Sequence, residues 1–166
     1  MPTQTYTPIS RQVLASATGT VTFSSIPSTY TDLVVLCSLR SVRTGGGADV
    51  VVRFNNSSTG FTNRRLFGSG SSAFSDTNEW TNGDSDAYTA STYSSMQIYI
   101  PNYASSNNKS WSVDHVLENN ATDAYATLAA GLWSNTSAIT SIKIYDVTTN
   151  NWKQYTTATL YGISKS

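Results

Sequence analysis

Apolar and polar residues alternate with a period of two along most of this chain. This period is typical of β-strands that bury one face, and no stretch has a convincing helical period of 3.6 residues. The pattern predicts strands over residues 6–14, 19–25, 48–56, 61–68, 94–102, 110–119, 125–133, 139–147 and 157–163. Residues 33–41 begin apolar on both faces, which indicates a further strand in the interior of a sheet.

The same alternation predicts which side chains face the core. In three of the strands they are Met96, Ile98 and Ile100; Trp111, Val113, His115 and Leu117; and Ile142 and Ile144. The segment AYATLAAGLW is rich enough in Ala and Leu for a helix to compete, but Gly131 and the neighbouring strands favour a strand.

Nine or ten strands with turn residues between them predict an all-β fold. We expect a single-domain antiparallel β-sandwich over residues 1–166, of the jelly-roll type. The pattern does not give the order of the strands, so other sandwich topologies stay open.

Residues 69–92 break the alternation. They contain few regularly spaced apolar residues, but they include Phe74, Trp80 and Tyr88. Loops longer than about 12–15 residues in compact domains are usually functional or mobile. We therefore predict a long surface loop here and consider it the strongest candidate for a contact surface.

The composition is unusually poor in charge. Charged residues make up 12% of the chain, hydrophobic residues 39%, and the formal net charge is zero. Such a surface favours association with protein and gives no reason to expect binding to nucleic acid or an anionic membrane. Serine and threonine supply 50 of the 166 residues. The regular apolar pattern argues against disorder, and four prolines are too few for a mucin-like stalk.

Cys37 is the single cysteine and lies in the apolar run 33–39, where we expect a small buried thiol and a reducing compartment. The sequence shows no signal peptide and no apolar run long enough to cross a membrane. Five Asn-x-Ser/Thr sites are expected by chance in a chain this rich in hydroxyl residues, so we do not expect glycosylation: Asn55, Asn56, Asn108, Asn120 and Asn135.

Candidate metal ligands are few. The only histidine, His115, follows Asp114, and adjacent strand residues point to opposite faces, so the two cannot bind one ion. Four acids in the 69–92 segment offer oxygen ligands of the kind that Ca²⁺ takes, but they lack EF-hand spacing. These acids are Asp76, Glu79, Asp84 and Asp86. We predict no metal site and no cofactor.

No catalytic motif is present. The chain has no Gly-x-Ser-x-Gly elbow, and TGGGAD lacks the lysine and the following helix of a phosphate loop. A glycosidase needs only two carboxylates, which leaves a hydrolase as a minor alternative. We predict that the protein is not an enzyme and has no catalytic residues.

The tryptophans offer a possible sugar-binding surface. Trp80 in the 69–92 segment and Trp152 in TTNNWKQY are predicted to be exposed, whereas Trp111 and Trp133 lie in strand patterns and are predicted to be packed. An exposed ring can stack on a pyranose, so a host-surface glycan is a candidate ligand.

Four segments together resemble one family of proteins. They are YTPISRQVLASATGTVTFSSIPSTYTDLVVLCSLRS, VVVRFNN, GLWSNTSAITSIKIYD and ATLYGISKS. These segments are similar to small virion structural proteins of tailed bacteriophages, notably phages of cyanobacteria and other aquatic bacteria. The similarity covers most of the chain and is weakest over residues 69–92. It implies a location in the virion, assembled in the host cytoplasm.

Two places in the virion compete. One is a capsid cement or decoration protein, often a trimer, that binds the major capsid protein on the outside of the shell. The other is a tail-fibre or tail component that recognises host-surface carbohydrate. A fibre tip normally follows a stalk, whereas the first strand here begins near Tyr6, which favours cement. The residues predicted to contact partners are Pro2, Tyr6, Phe74, Trp80, Tyr88 and Trp152.

Overall fold

The computed structural model describes residues 5–120, 124–149 and 151–164, and within these ranges the chain forms twelve β-strands and no helix. The strands are β1 Tyr6–Val13, β2 Val21–Phe23, β3 Asp32–Ser41, β4 Ala48–Phe54, β5 Phe61–Gly68, β6 Ala73–Asp76, β7 Trp80–Ser85, β8 Ser94–Ile100, β9 Lys109–Leu117, β10 Tyr125–Trp133, β11 Ile142–Asp146 and β12 Thr157–Ile163. The all-β prediction is confirmed, including a strand for the Ala- and Leu-rich segment.

Two antiparallel layers form a sandwich-like domain. The larger layer has eight strands in the order β1-β12-β3-β8-β9-β10-β5-β6. The smaller layer has four, in the order β2-β11-β4-β7. A short parallel pairing of Arg40 and Ser41 in β3 with Asp84 and Ser85 in β7 joins the layers into one mixed sheet.

The jelly-roll topology is not confirmed. Strands β8, β9 and β10 are consecutive in sequence and adjacent in one layer, so they form a meander. A jelly roll instead builds two Greek keys across its two sheets.

The core lies between the layers and follows from the alternation. One hydrophobic cluster takes Val35, Ile98 and Val113 from the larger layer and Val50 and Ile144 from the smaller layer. Trp111 and Trp133 pack edge-on against Phe54 at 5.7 and 5.8 Å between ring centroids. Both tryptophans are therefore packed, as predicted.

The predicted loop over residues 69–92 is wrong, because the segment contains β6 and β7. Strand β7 was hidden because polar side chains occupy its buried positions. Thr81 is hydrogen-bonded to His115, and Asp84 is ion-paired with Arg40. A polar residue is tolerated in the interior when its hydrogen bonds are satisfied, so the apolar alternation disappears while the strand persists.

The predicted exposure of Trp152 is also wrong. The side chain is fully buried, and its indole N–H donates a hydrogen bond to the carbonyl of Ile144 at 3.1 Å. The backbone of Trp152 forms isolated bridges with Thr18 and Ser41. These bridges hold the residue against the sheet, so its ring packs in the core. The polar residues around it in sequence suggested a loop tip.

Candidate functional site

The six residues predicted to contact partners do not form one surface. Phe74 lies on edge strand β6 and Tyr6 on the opposite edge strand, β1; their side chains are 47% and 53% exposed. Tyr88 is half-buried, Trp152 is buried, and Pro2 lies outside the described residues. Two exposed aromatic residues thus remain at the two edges of the larger layer.

Trp80 is half-buried, and one face of its ring is covered. The Arg65 guanidinium lies 3.8 Å from the centroid of Trp80 and 4.5 Å from that of Phe67. The same guanidinium makes two hydrogen bonds to Asp76, at 2.6 and 2.7 Å. A cation between two rings is a favourable structural contact, so this face of Trp80 is not free to stack on a sugar.

The four acids that could have formed a calcium site are instead each ion-paired with a basic residue. Asp76 pairs with Arg65, Glu79 with Arg53, Asp84 with Arg40, and Asp86 with Arg40 and Lys153. Over the described ranges, no group of three or more His, Cys, Asp or Glu side chains is placed to hold a metal ion.

The pKa values of two of these acids reflect their partners. The hydrogen bond from Arg65 lowers the pKa of Asp76 to about 2. Burial opposes ionisation of Asp86, but hydrogen bonds from Lys153 and Arg40 outweigh it and lower the pKa of this carboxyl as well. Both acids therefore serve as anionic partners for cations that hold β6 and the segment after β7 in place.

His115 is fully buried between the layers and is bonded on both ring nitrogens. Thr81 Oγ1 lies 2.7 Å from Nδ1, and Ser94 Oγ lies 2.9 Å from Nε2. The Ser94 hydroxyl donates to the carbonyl of Leu39, so Nε2–H donates to Ser94, and Nδ1 accepts from Thr81. Desolvation lowers the pKa of His115 to about 3, so the ring is a neutral structural link.

Cys37 is buried in the core, as predicted. Desolvation raises the pKa of its thiol to about 12. The reactive form of cysteine is the thiolate, which this environment disfavours.

A broad uncovered surface is the outer face of the larger layer, meaning the side turned away from the four-stranded layer. The strand registers align one outward residue from each of the eight strands. In order across the sheet these are Arg11, Thr159, Leu36, Gln97, Asp114, Leu128, Leu66 and Ser75. Eight strands spaced about 4.8 Å apart give a face roughly 34 Å wide.

An apolar patch occupies the part of this face formed by β9, β10 and β5. Its centre is Leu128, 61% exposed, opposite Leu66, 58% exposed. The patch consists of Leu66, Val116, Ala126, Leu128, Ala130 and Leu132. Three shallow grooves of about 520, 410 and 400 Å³ run along this patch, and the first shares lining residues with each of the other two. Contiguous apolar surface of this kind marks interaction sites on proteins.

A separate polar cleft of about 290 Å³ lies beyond β7, at the end of the segment that leads into β8. Its lining includes Asp86, Ser91, Tyr93, Lys153, Gln154 and Tyr155. Tyr155 is 66% exposed and has a backbone φ of +69°, and Ser91 in the same cleft has a φ of +65°. A bulky residue at positive φ is rare, and such strain concentrates at ligand-binding sites. Sequence reasoning missed this cleft because its residues are brought together from distant segments.

Comparisons with family models, curated proteins and solved structures find no match to this chain. No helix in the described part of the chain could serve as a membrane span.

Proposed function

We propose that this chain is a structural protein of a phage virion, namely a capsid decoration protein that binds the outside of the shell. The observation that carries the proposal is the broad uncovered sheet face with its apolar patch, which suits a molecule that acts by binding protein. The virion itself is inferred from the sequence resemblance. The protein works by association and not by catalysis.

Decoration stabilises a shell by mass action. A protein that binds only the assembled shell lowers the free energy of that state, by about 2.7 kcal/mol per site when its free concentration is 100 times its Kd. Copies that contact neighbouring capsid subunits add avidity. The resemblance implies three chains per site.

The exposed aromatic residues at the two sheet edges are the proposed contacts with the major capsid protein. Phe74 on β6 stacks on Phe67 at 5.3 Å between centroids yet keeps about half of its surface free. Exposed aromatic anchors of this kind provide much of the binding energy at protein interfaces. Tyr6 on β1 is the corresponding residue at the other edge.

The copy number of this chain in purified virions tests the proposal. Quantitative mass spectrometry against the major capsid protein should find hundreds of copies at a fixed ratio to the shell. A few to a few dozen copies would indicate a tail component, and absence from the particle would contradict both placements.

A point substitution tests the edge contact. Virions that lack the protein should regain their heat resistance when the purified wild-type chain is added back. The Phe74→Ser variant should bind these particles at least about tenfold more weakly, because it loses an aromatic anchor. Tyr155→Ser is the matched control on another surface and should bind as the wild type. Equal binding by both variants would exclude Phe74 from the interface.

A second candidate function, carbohydrate recognition by a tail component, is supported by the polar cleft. Tyr155 offers an aromatic face, while Asp86, Lys153 and Gln154 offer hydrogen-bonding groups beside it. For this function, Tyr155→Ala should reduce phage adsorption to host cells and leave particle stability unchanged. Trp80 is a poorer choice for this test, because Arg65 covers one face of its ring.

A further inference from the structure

Two opposite charges beside the apolar patch, Arg64 and Asp114, lack the ion pairs that four other arginines form within the described chain. Arg40, Arg43, Arg53 and Arg65 each form an ion pair within the chain. Among the described residues, the side chain of Asp114 has no hydrogen bond or ion pair, and the side chain of Arg64 makes only a 3.5 Å hydrogen bond to the carbonyl of Asn63. Two opposite charges without internal partners, beside an apolar patch, point to partners on another molecule.

Arg64 and Asp114 lie on the two strands that flank β10. Arg64 on β5 is in register with Ala130 of β10, and Asp114 on β9 is in register with Leu128 of β10. Strand β10 thus lies between them, and they are offset by two residues, roughly 7 Å, along the strand direction.

A two-fold axis in the plane of the interface can pass through Ala129 of β10, midway between Arg64 and Asp114, and run perpendicular to the line that joins these two residues. This axis places each Arg64 opposite the other copy's Asp114. It also brings Leu66 and Leu128 of one copy onto the Leu66–Leu128 pair of the other, with the strands of the two sheets crossing steeply. The surface is therefore complementary to itself, which is the requirement for an isologous dimer.

We propose that the outer face over β9, β10 and β5 binds a second copy of this chain, with the two sheets packed face to face. The apolar patch forms the centre of the interface, and two reciprocal Arg64–Asp114 ion pairs border it. The inference rests on the proposed decoration function: the dimer uses the apolar patch, and the edge residues Phe74 and Tyr6 stay available for the capsid. It assigns a two-fold dimer where the resemblance implied a trimer.

Sedimentation equilibrium of the purified full-length chain at about 1–200 µM and low salt tests this arrangement. The wild type should reach twice the chain mass of 17.9 kDa. In a dimer of the Arg64→Asp variant, the two borders carry four negative charges. In a dimer of the Asp114→Arg variant, they carry four positive charges. Each variant alone should have a dissociation constant at least about tenfold higher than the wild type.

An equimolar mixture of the two variants provides the decisive readout. Every border pair in the mixed dimer joins Asp to Arg, so dimers should return although neither variant forms them alone. This rescue cannot come from a folding defect. Leu128→Ser should also dissociate the dimer, and no charge partner should restore it.

The matched control is Arg11→Asp. Arg11 lies on the same face without a partner, but five strands away from β10, so its reversal should leave the dimer unchanged. A monomeric wild type, a three-chain assembly, or a mixture that stays monomeric would each overturn the inference. A monomer in solution with shell-ratio copies in virions refutes the dimer alone, whereas a dimer that is absent from virions refutes only the decoration function.

Discussion

A neutral histidine between the two layers makes folding sensitive to acid. The pKa of His115 is about 3 in the folded chain and about 6.5 in an unfolded one. The unfolded state therefore binds the proton more tightly. The stabilising contribution is fully present above about pH 6.5 and is lost as the pH falls towards 3.

We expect the free energy of unfolding in urea to fall by about 3 kcal/mol from this group between pH 7 and pH 4.5, at about 1.4 kcal/mol per pH unit. The His115→Gln variant should be less stable at pH 7, but its free energy of unfolding should lack the pH dependence that His115 contributes. Parallel pH profiles for the two proteins would contradict the assignment.

Gly131 in β10 is required because a ring occupies the space of its missing side chain. A Cβ built at this position would lie 2.1 Å from Cε2 of Trp111, whereas one at Gly68, on the neighbouring strand, would meet nothing closer than 3.7 Å. Gly131→Ala should lower the free energy of unfolding by about 3 kcal/mol, because the buried indole must shift. Gly68→Ala is the matched control and should change it by less than about 0.5 kcal/mol. Similar values for the two variants in thermal denaturation would show that the indole relaxes freely.

At the residue scale, sequence reasoning succeeded where burial and alternation coincide. His115 and Cys37 were placed in the interior because their neighbours are apolar in the right period. Trp80 and Trp152 were wrongly predicted to be exposed, because their neighbours in sequence are polar. Arg65 covers the ring of Trp80, and segments distant in sequence bury Trp152; neither contact leaves a periodic pattern in the sequence. The unpartnered Arg64 and Asp114 could not be recognised either, since partners depend on register.

At the element scale, β6 is an edge strand held by a side chain from its neighbour. Arg65 reaches from β5 to make two hydrogen bonds with Asp76 at the end of β6 and one with the carbonyl of Trp80 at 3.1 Å. Lysine keeps the charge but cannot make the planar two-point contact.

Arg65→Lys should therefore release β6 locally. We expect hydrogen exchange of the backbone amides in residues 73–76 to become at least about tenfold faster, because a charge-assisted pair is lost. Arg64→Lys, the adjacent exposed position, should leave these amides unchanged. Unaltered exchange in Arg65→Lys would mean that the β5–β6 ladder alone holds the strand.

Sequence reasoning missed β6 and β7, and the contacts of β7 explain why deleting residues from this segment would be a poor test of its role in binding. Its Thr81 bonds to His115 of the facing layer, and its Asp84 pairs with Arg40 of β3. Removing this segment would disrupt both layers. Point substitutions such as Phe74→Ser avoid that problem.

At the scale of the whole molecule, the fold class was predictable and the strand order was not. Ten of the twelve strands were predictable, nine from period-two alternation and β3 from its run of apolar residues. The order depends on long-range pairings, such as β10 with β5, that no local pattern encodes. The apolar patch on the outer face could not be predicted either, because it is assembled from three strands that come together only in the folded chain.

The pairing of the first strand with the last sets how the fold resists mechanical force. Strands β1 and β12 are antiparallel, and Tyr6 is the register partner of Ile163, so the outer ends of both strands lie side by side. Tension applied at Tyr6 and Ile163 opens the β1–β12 ladder one hydrogen bond at a time, starting from this end. Strand β12 is also held on its other side by β3, whereas among the described strands β1 pairs with β12 alone, so β1 is released first. A pull at this edge of the larger layer therefore extends the chain at its margin while the packed core stays intact.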